Sequence, residues 1–314
     1  MANDLFNLDS NQTMSVFDAK KRNTDGLYRP DVDDGDKETG YVASIRFLPN
    51  FTRKEVVEQN ALEKHTHYVK LEELPELNGT YDCQKVFGDT NPLYDSFWKL
   101  KNSRSVTDQE KAKIISRQTK YYSYVLIVED KQHPELEGKI LIFQYGFKIA
   151  DKIKEEKAGT YGEACNVFDL AEGKDFKLVV KKIGGYNNYD SSRFLTAGPI
   201  TFVKEGQKKT MPVEESNGKK VIAAAVRDKV KDILLKRDHD LEEFAPKKWS
   251  VEDRSKVNRI VSHLLGTNSE FASANSRVAD QSSPVTSKQA TNTSFDTTAT
   301  SATTKQIDNF FDDL

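Results

Sequence analysis

Six short runs in this chain are built for strands. They are "YVASIRFLP" (41–49), "THYVKL" (66–71), "YYSYVLIVED" (121–130), "KILIFQYGF" (139–147), "DFKLVVKKIGG" (175–185) and "GPITFV" (198–203). β-Branched and aromatic side chains pack well on a pleated surface, and the alternation in "ASIRFL" suits a half-buried strand. "KQHPELEGK" supplies turn chemistry between two of the runs through Pro134 and Gly138. Only two segments carry a 3.6-residue stripe: Val226, Val230, Ile233 and Leu234 in one, Val257, Ile260, Val261 and Leu264 in the other. Ser250 is placed to cap the second helix, with Asp253 in the capping-box position and Gly266 to end it. These stripes read as core or docking faces. The expected fold is mainly β with some helices, of the α+β class.

The ends differ from the middle. Residues 1–40 are polar and turn-rich and read as an arm. From Thr267 to Thr304 the chain is rich in Ser, Thr, Ala and Asn, too poor in apolar surface to offset ordering entropy, and is expected to be a disordered linker. It leads to "QIDNFFDDL", an acidic, aromatic tail over 305–314 that reads as a recognition peptide. The termini are thus expected to be flexible around a core of residues 41–266.

Charge is divided the same way. The chain has 47 basic and 49 acidic residues; 1–40 hold 5 and 9, and 266–314 hold 3 and 6. The body therefore keeps 39 basic and 34 acidic residues, about +5 against −7 for the two ends. A basic body with acidic ends suits a polyanionic partner under competition from a tail.

Much chemistry is missing. The chain has no Walker-type loop, no G-x-G-x-x-G after a strand, no H-E-x-x-H and no G-x-S-x-G. The acids show no spacing that isolates a catalytic pair, so an enzyme is not expected. No apolar run approaches the roughly 18 residues of a membrane span. "MANDLFNLDS" lacks the charged and apolar regions of a secretory leader. Two cysteines, Cys83 and Cys165, make no disulfide scaffold and fit a reducing, cytosolic setting.

What recurs is aromatic surface beside cations. Arg117 and Lys120 precede Tyr121, Tyr122 and Tyr124; Phe143, Tyr145 and Phe147 precede Lys148; Lys181 and Lys182 precede Tyr186, Tyr189 and Arg193. The rings at 143, 145 and 147 are expected on one face of a strand. Tyr186 and Tyr189 stand in a Gly/Asn-rich turn, where packing gives aromatics little reason to be. Base stacking gives one, worth about 1–3 kcal/mol per base, and the cations would meet phosphates. Together the three clusters point to single-stranded nucleic acid.

"IRFLP" (45–49), "YDC" (81–83), "YDS" (94–96), "TKYYSYVLIVED" with "PELEGK", "KIADKI" (148–153) and "GGYNNYDSSRF" (184–194) form an ordered series. In that order the chain resembles the helix-destabilising, single-stranded DNA-binding proteins of T-even-type phages, over roughly residues 41–266 and again in the acidic ending "DDL". The resemblance implies an OB-type five-stranded barrel with a small subdomain near 60–105. It also implies a cleft lined by Tyr122, Phe143, Tyr186 and Tyr189, and an N-terminal basic motif for cooperative binding. Lys20, Lys21, Arg22, Asn23 and Thr24 resemble that motif, further from the start than the family has it. The implied role is a coat for single strands in viral DNA replication, recombination and repair, in the cytoplasm of the infected bacterial host. Asp308, Phe310, Phe311, Asp312, Asp313 and Leu314 would dock on replication and recombination proteins: a polymerase, a helicase or its loader, a recombinase mediator. The alternative is an RNA-binding OB-fold regulator of translation; a scaffold whose function is the tail alone is a third reading.

The family binds zinc through one histidine and three cysteines. Here Cys83 fits the first cysteine, while Phe97 and Leu100 stand in the other two positions. His65 or His67 with Cys83 leaves a tetrahedral site short of ligands. No cofactor is expected, and Phe97, Trp98 and Leu100 are expected to fill the space as an apolar core.

Overall fold

The computed structural model describes residues 26–30, 32, 39–50, 60–204 and 206–266. Most of the expected arm, with Lys20 to Thr24, and the whole linker and tail lie outside them. The described chain is mixed α+β, mostly strands, with five α-helices. It divides into two compact units. Among the described residues, one draws on those up to 61 and on 122–243, the other on 62–121 and 244–266.

The first unit is organised on β2 (Tyr41–Phe47), where Tyr41, Ala43, Ile45 and Phe47 all point inward. β2 pairs antiparallel with β5 (Ile115–Asp130) on one side and β7 (Lys174–Ile183) on the other. A bulge between Ser44 and Ile45 slips its register against β5. The path continues from β5 to β6 (Ile140–Tyr145) and to β1 (Leu27–Tyr28), which lies parallel to β6. Beyond β7 lie β8 (Tyr186–Asn188) and β9 (Arg193–Ala197), both paired with it. The hydrogen-bonded order is an open path from β1 to β8. The Phe47 ring forms its hub, with the rings of Phe143, Tyr145, Phe168, Phe176 and Phe194 centred 5.7–6.4 Å away. Tilted and edge-on pairs of this kind add about 0.5–1.5 kcal/mol each beyond burial.

Two buried polar knots tie the sheet. Tyr28 donates to Asp130 Oδ2 at 2.7 Å, and Tyr41 donates to the same oxygen. Burial drives the Tyr28 phenol far above its ordinary range, so its hydroxyl stays a protonated donor. Arg46 is 1% exposed and holds Asp175 Oδ1 at 3.1 Å and the carbonyls of Asp169 and Gly198 at 2.7 and 2.9 Å. The expected turn is present: a 3-10 turn at Pro134–Leu136 leads to Gly138, whose φ is +79°. A Cβ there would meet the Val203 carbonyl oxygen at 2.1 Å, so only glycine fits.

Two hairpins, β10 (Thr201–Lys204) with β11 (Gln207–Thr210) and β12 (Val213–Ser216) with β13 (Lys219–Ile222), complete the strands of this unit. β3 (Leu62–Val69) and β4 (Gly79–Asp82) pair antiparallel in the second unit.

That second unit also holds three helices: α1 (Pro92–Lys101), α2 (Val106–Ile114) and α5 (Val251–Leu265). α5 buries Val257, Ile260, Val261 and Leu264 against Val69, Leu77, Leu93, Phe97, Leu100 and Ile115. Its Ser250–Asp253 capping box is complete and Gly266 closes it at φ +66°. Gln84, 1% exposed, holds the entering chain: its amide donates to the Lys247 carbonyl at 3.0 Å and accepts from Trp249 N at 3.1 Å.

Helices α3 (Phe147–Ala158) and α4 (Ala224–Leu235) belong to the first unit. α4 buries the expected stripe, Val226, Val230, Ile233 and Leu234. α3 corrects an expectation. The strand stops at Tyr145, Gly146 is the N-cap, and Phe147 opens a helix with its ring 63% exposed. The rings at 143, 145 and 147 therefore do not share a strand face.

Candidate nucleic-acid interface

β7 runs past the core and turns back as β8 through Gly184 and Gly185, at φ +58° and +83°. Two consecutive positive φ values define the tight turn that matches strand twist. Ile183 pairs with Tyr186, Lys182 with Asn187 and Lys181 with Asn188. Further along β7, Lys177 pairs with Arg193 of β9. Residues two apart on a strand share a face, as do directly paired residues. Lys177, Lys181, Ile183, Tyr186 and Arg193 therefore share one face. Phe176, Leu178 and Val180 occupy the opposite face of β7 and are wholly buried, which leaves the first set facing outward. At its tip Tyr186 is 81% and Ile183 60% exposed. Lys182, on the other face of β7, is exposed because the hairpin projects beyond the core.

The loop after β8 is pinned. Ser192, 1% exposed, accepts from Val179 N and donates to Val179 O, both at 2.9 Å. Lys148, in the first turn of α3, pairs with Asp190 at 2.7 Å. Tyr189 is half-buried, which pushes its phenol above the ordinary value, with a hydrogen bond from Asn187 opposing. One acid that feels the charge of Lys177 is Glu129. Its carboxyl lies below its ordinary range, first through the hydrogen bond from Lys208 at 3.0 Å and then through the charges of Lys208, Lys131 and Lys177.

The other proposed rings sit differently. Phe143 is 1%, Tyr124 3%, Tyr145 5% and Tyr122 6% exposed. Tyr122 donates to Gln144 at 3.1 Å, Tyr145 bonds Ser123 at 2.9 Å, and the Tyr124 oxygen accepts from Leu241 N. The Arg237 guanidinium covers the Tyr124 ring at 4.4 Å. Rings enclosed in this way offer no free face to a base. Their alternation with apolar residues is a core signal, not the mark of a stacking platform. Arg117, Lys120 and Tyr121 are half-buried in the second unit. There Tyr121 donates to Glu63 at 3.0 Å and Arg117 lies over the Tyr94 ring at 5.9 Å. No motif in the sequence singles out Lys177 and Ile183; only the strand register places them beside Tyr186.

The corner that would hold zinc in the family does not fit it. Phe97 and Leu100 are buried carbon side chains in the core of the second unit, with Trp98 packed against it. The Cys83 sulfur accepts from Asn91 Nδ2 at 3.2 Å. His67 Nδ1 lies 3.2 Å from the Ile115 carbonyl and must donate to it. Among the described residues no three His, Cys, Asp or Glu side chains are placed to hold a metal ion. Likewise no helix there is long and apolar enough to cross a membrane.

The family model described as "gp32 DNA binding protein like" matches residues 39–261, well over half of the chain. The chain belongs to this family of gp32-like DNA-binding proteins. It is 30% identical over 169 residues to the single-stranded DNA-binding protein of Enterobacteria phage T4, covering 50% of this chain and 52% of that protein. The single-stranded DNA-binding protein of Enterobacteria phage T2 matches to the same identity, with 51% of its length covered. The aligned region thus spans about half the length of these curated relatives. The β7–β8 hairpin and its basic face lie inside the family match.

Proposed function

We propose that the protein binds single-stranded DNA without reading its sequence and acts as a coat rather than an enzyme. The observation that carries this is Tyr186, exposed on a braced hairpin beside Ile183 and on one face with Lys177, Lys181 and Arg193. A ring so placed stacks on any base, and the cations follow the phosphates. Family membership and the names of the two relatives support the reading. Fluorescence titration with poly(dT), duplex DNA and an RNA oligomer at two salt concentrations tests it. Tight binding to poly(dT) and weak binding to duplex are expected; equal affinity for duplex defeats the proposal. Preference for the RNA oligomer would favour a translation regulator instead.

The fuller reading adds several parts. The core is a variant of an OB-type barrel. Lys20 to Thr24 carry cooperative self-association along DNA. The "FFDDL" tail competes for the DNA face and docks on replication, recombination and repair proteins in the host cytoplasm. The second unit works without zinc, its corner being filled by Phe97 and Leu100; unchanged melting in chelator, with no metal by elemental analysis, is the expected result.

A further inference from the structure

The chain contains two Asn–Gly pairs, Asn78–Gly79 and Asn217–Gly218. Glycine has no Cβ to shield its nitrogen, so this pair is the one most open to attack of that nitrogen on the asparagine amide carbon. Both asparagines are exposed, and water reaches each. Their anchoring differs. Asn78 is locked: its Oδ1 accepts from Leu71 N at 2.6 Å and its Nδ2 donates to Leu71 O at 3.0 Å. Leu71 and Leu77 are buried beside it, and Gly79 enters β4 paired with Val69. Turning the Asn78 carboxamide onto Gly79 N would break both side-chain bonds.

Asn217 has no such anchor. It is the one non-glycine with positive φ among the described residues, at +53°, and Gly218 follows at +75°. The two form the tight turn between Ser216 and Lys219, the pair that closes β12 on β13. Among the described residues no hydrogen bond holds the Asn217 carboxamide. β12 and β13 pair there only with each other, and Glu214, Glu215, Ser216, Lys219 and Lys220 are all exposed. Arg227 ties down the base, holding Glu214 Oε1 at 3.3 Å and the Ile222 carbonyl at 3.1 Å. A two-stranded ribbon is marginal by itself, so its turn opens at small cost while the rest of the unit stays folded.

We infer that Asn217 is a site of spontaneous deamidation, with water as the co-reactant. In the open turn Gly218 N attacks Asn217 Cγ. The new bond closes a cyclic imide, the Cγ–Nδ2 bond breaks, and Nδ2 leaves as ammonia, taking up the proton that Gly218 N gives up. Water then opens the imide at either carbonyl. One opening gives aspartate; the other gives isoaspartate, whose main chain runs through the side-chain carbon. Both add a negative charge beside Lys219 and Lys220. Isoaspartate also lengthens the turn and so disturbs the Ser216–Lys219 pair.

Peptide mapping by mass spectrometry tests this on the full chain, held folded at mildly alkaline pH. Asn217 is expected to gain the mass of an amide-to-acid exchange, as separable aspartate and isoaspartate peptides, while Asn78 keeps its amide. In urea that unfolds the chain, both pairs are expected to convert at similar rates, because the anchoring of Asn78 belongs to the folded state. Equal conversion at both sites in the folded protein overturns the inference. So does an intact Asn217 in folded protein over a time in which the unfolded chain converts. Hydrogen exchange at Lys219 reads the opening separately: it is expected to be fast relative to β2, and protection equal to that of β2 overturns the opening step.

Discussion

Lys148 Nζ lies 2.7 Å from Asp190 Oδ1, so the first turn of α3 is tied to the loop that follows β8. The Asp190 carboxyl is held below its ordinary range by the hydrogen bond from Lys148, then by that from Asn188. The pair braces the loop after the hairpin and also occupies the Lys148 cation. Asp190→Asn should release Lys148 and remove a negative charge. Single-strand affinity should rise a few-fold at low salt, with the gain fading as screening increases. Titration at two salt concentrations reads this. Weaker binding at both would mean that the brace matters more than the released charge.

Tyr186 and Phe143 should respond in opposite ways. Tyr186→Ala should weaken binding by about 1–3 kcal/mol and leave thermal stability unchanged, because the ring touches little of the core. Phe143→Ala should cost about 3–5 kcal/mol of stability, with affinity of the remaining folded protein nearly intact. Urea unfolding and oligomer titration of both variants make the test. Lys177→Ala should lower affinity uniformly and reduce the salt slope by about one.

His67 makes the second unit sensitive to acid. It is wholly buried, and burial, ahead of the Arg117 and His65 charges, holds its pKa below the ordinary value, with the Ile115 bond opposing. The unfolded chain takes up a proton near pH 6.5, which the folded chain resists. Stability is therefore full above about pH 6.5 and falls as pH drops from there toward the lowered folded value. His67→Gln should flatten that part of the profile, and unfolding at about pH 7.5 and about pH 5.5, either side of the free imidazole value, measures the difference. An unchanged slope would assign the effect elsewhere, first to His65, whose pKa is also lowered by burial.

Truncation after Thr304 removes Asp308, Asp312 and Asp313 with both phenylalanines. A flexible linker of about 38 residues has an r.m.s. reach of roughly 30–37 Å. The truncated protein should bind single strands more tightly, mainly at low salt, and should lose partners that the full chain retains in pull-down. Equal affinity and unchanged partners would remove both roles from the tail.

The sequence by itself determined the elements whose side-chain period is their own evidence. β2, β7 and the Val125–Val128 run of β5 stand out because alternate or continuous burial needs β-branched and aromatic residues. α4 and α5 stand out because four apolar residues fall on one helical face, with Ser250, Asp253 and Gly266 marking the ends of α5. Helices α1, α2 and α3 are not legible in that way. α2 buries only Ala112, and α3 only Ile149 and Ala150, so neither has a stripe to read. α1 does carry Asn91 and Pro92 as a start signal, but its rings read in sequence as the filling of a lost metal corner.

Tertiary structure decided which aromatics are available. Tyr122, Phe143 and Tyr186 look alike in sequence, each beside cations and other rings. Phe143 is enclosed because β2 and β6 bring Phe47 and Tyr145 against it, and Tyr122 because the sheet buries it beside Gln144. Tyr186 is free because Gly184 and Gly185 turn the chain beyond the edge of the core. Register, which joins residues distant in sequence, then sets Lys177 and Arg193 on its face. Local composition can record that a ring and a cation are near in the chain. Only the pairing of strands decides whether they face water together.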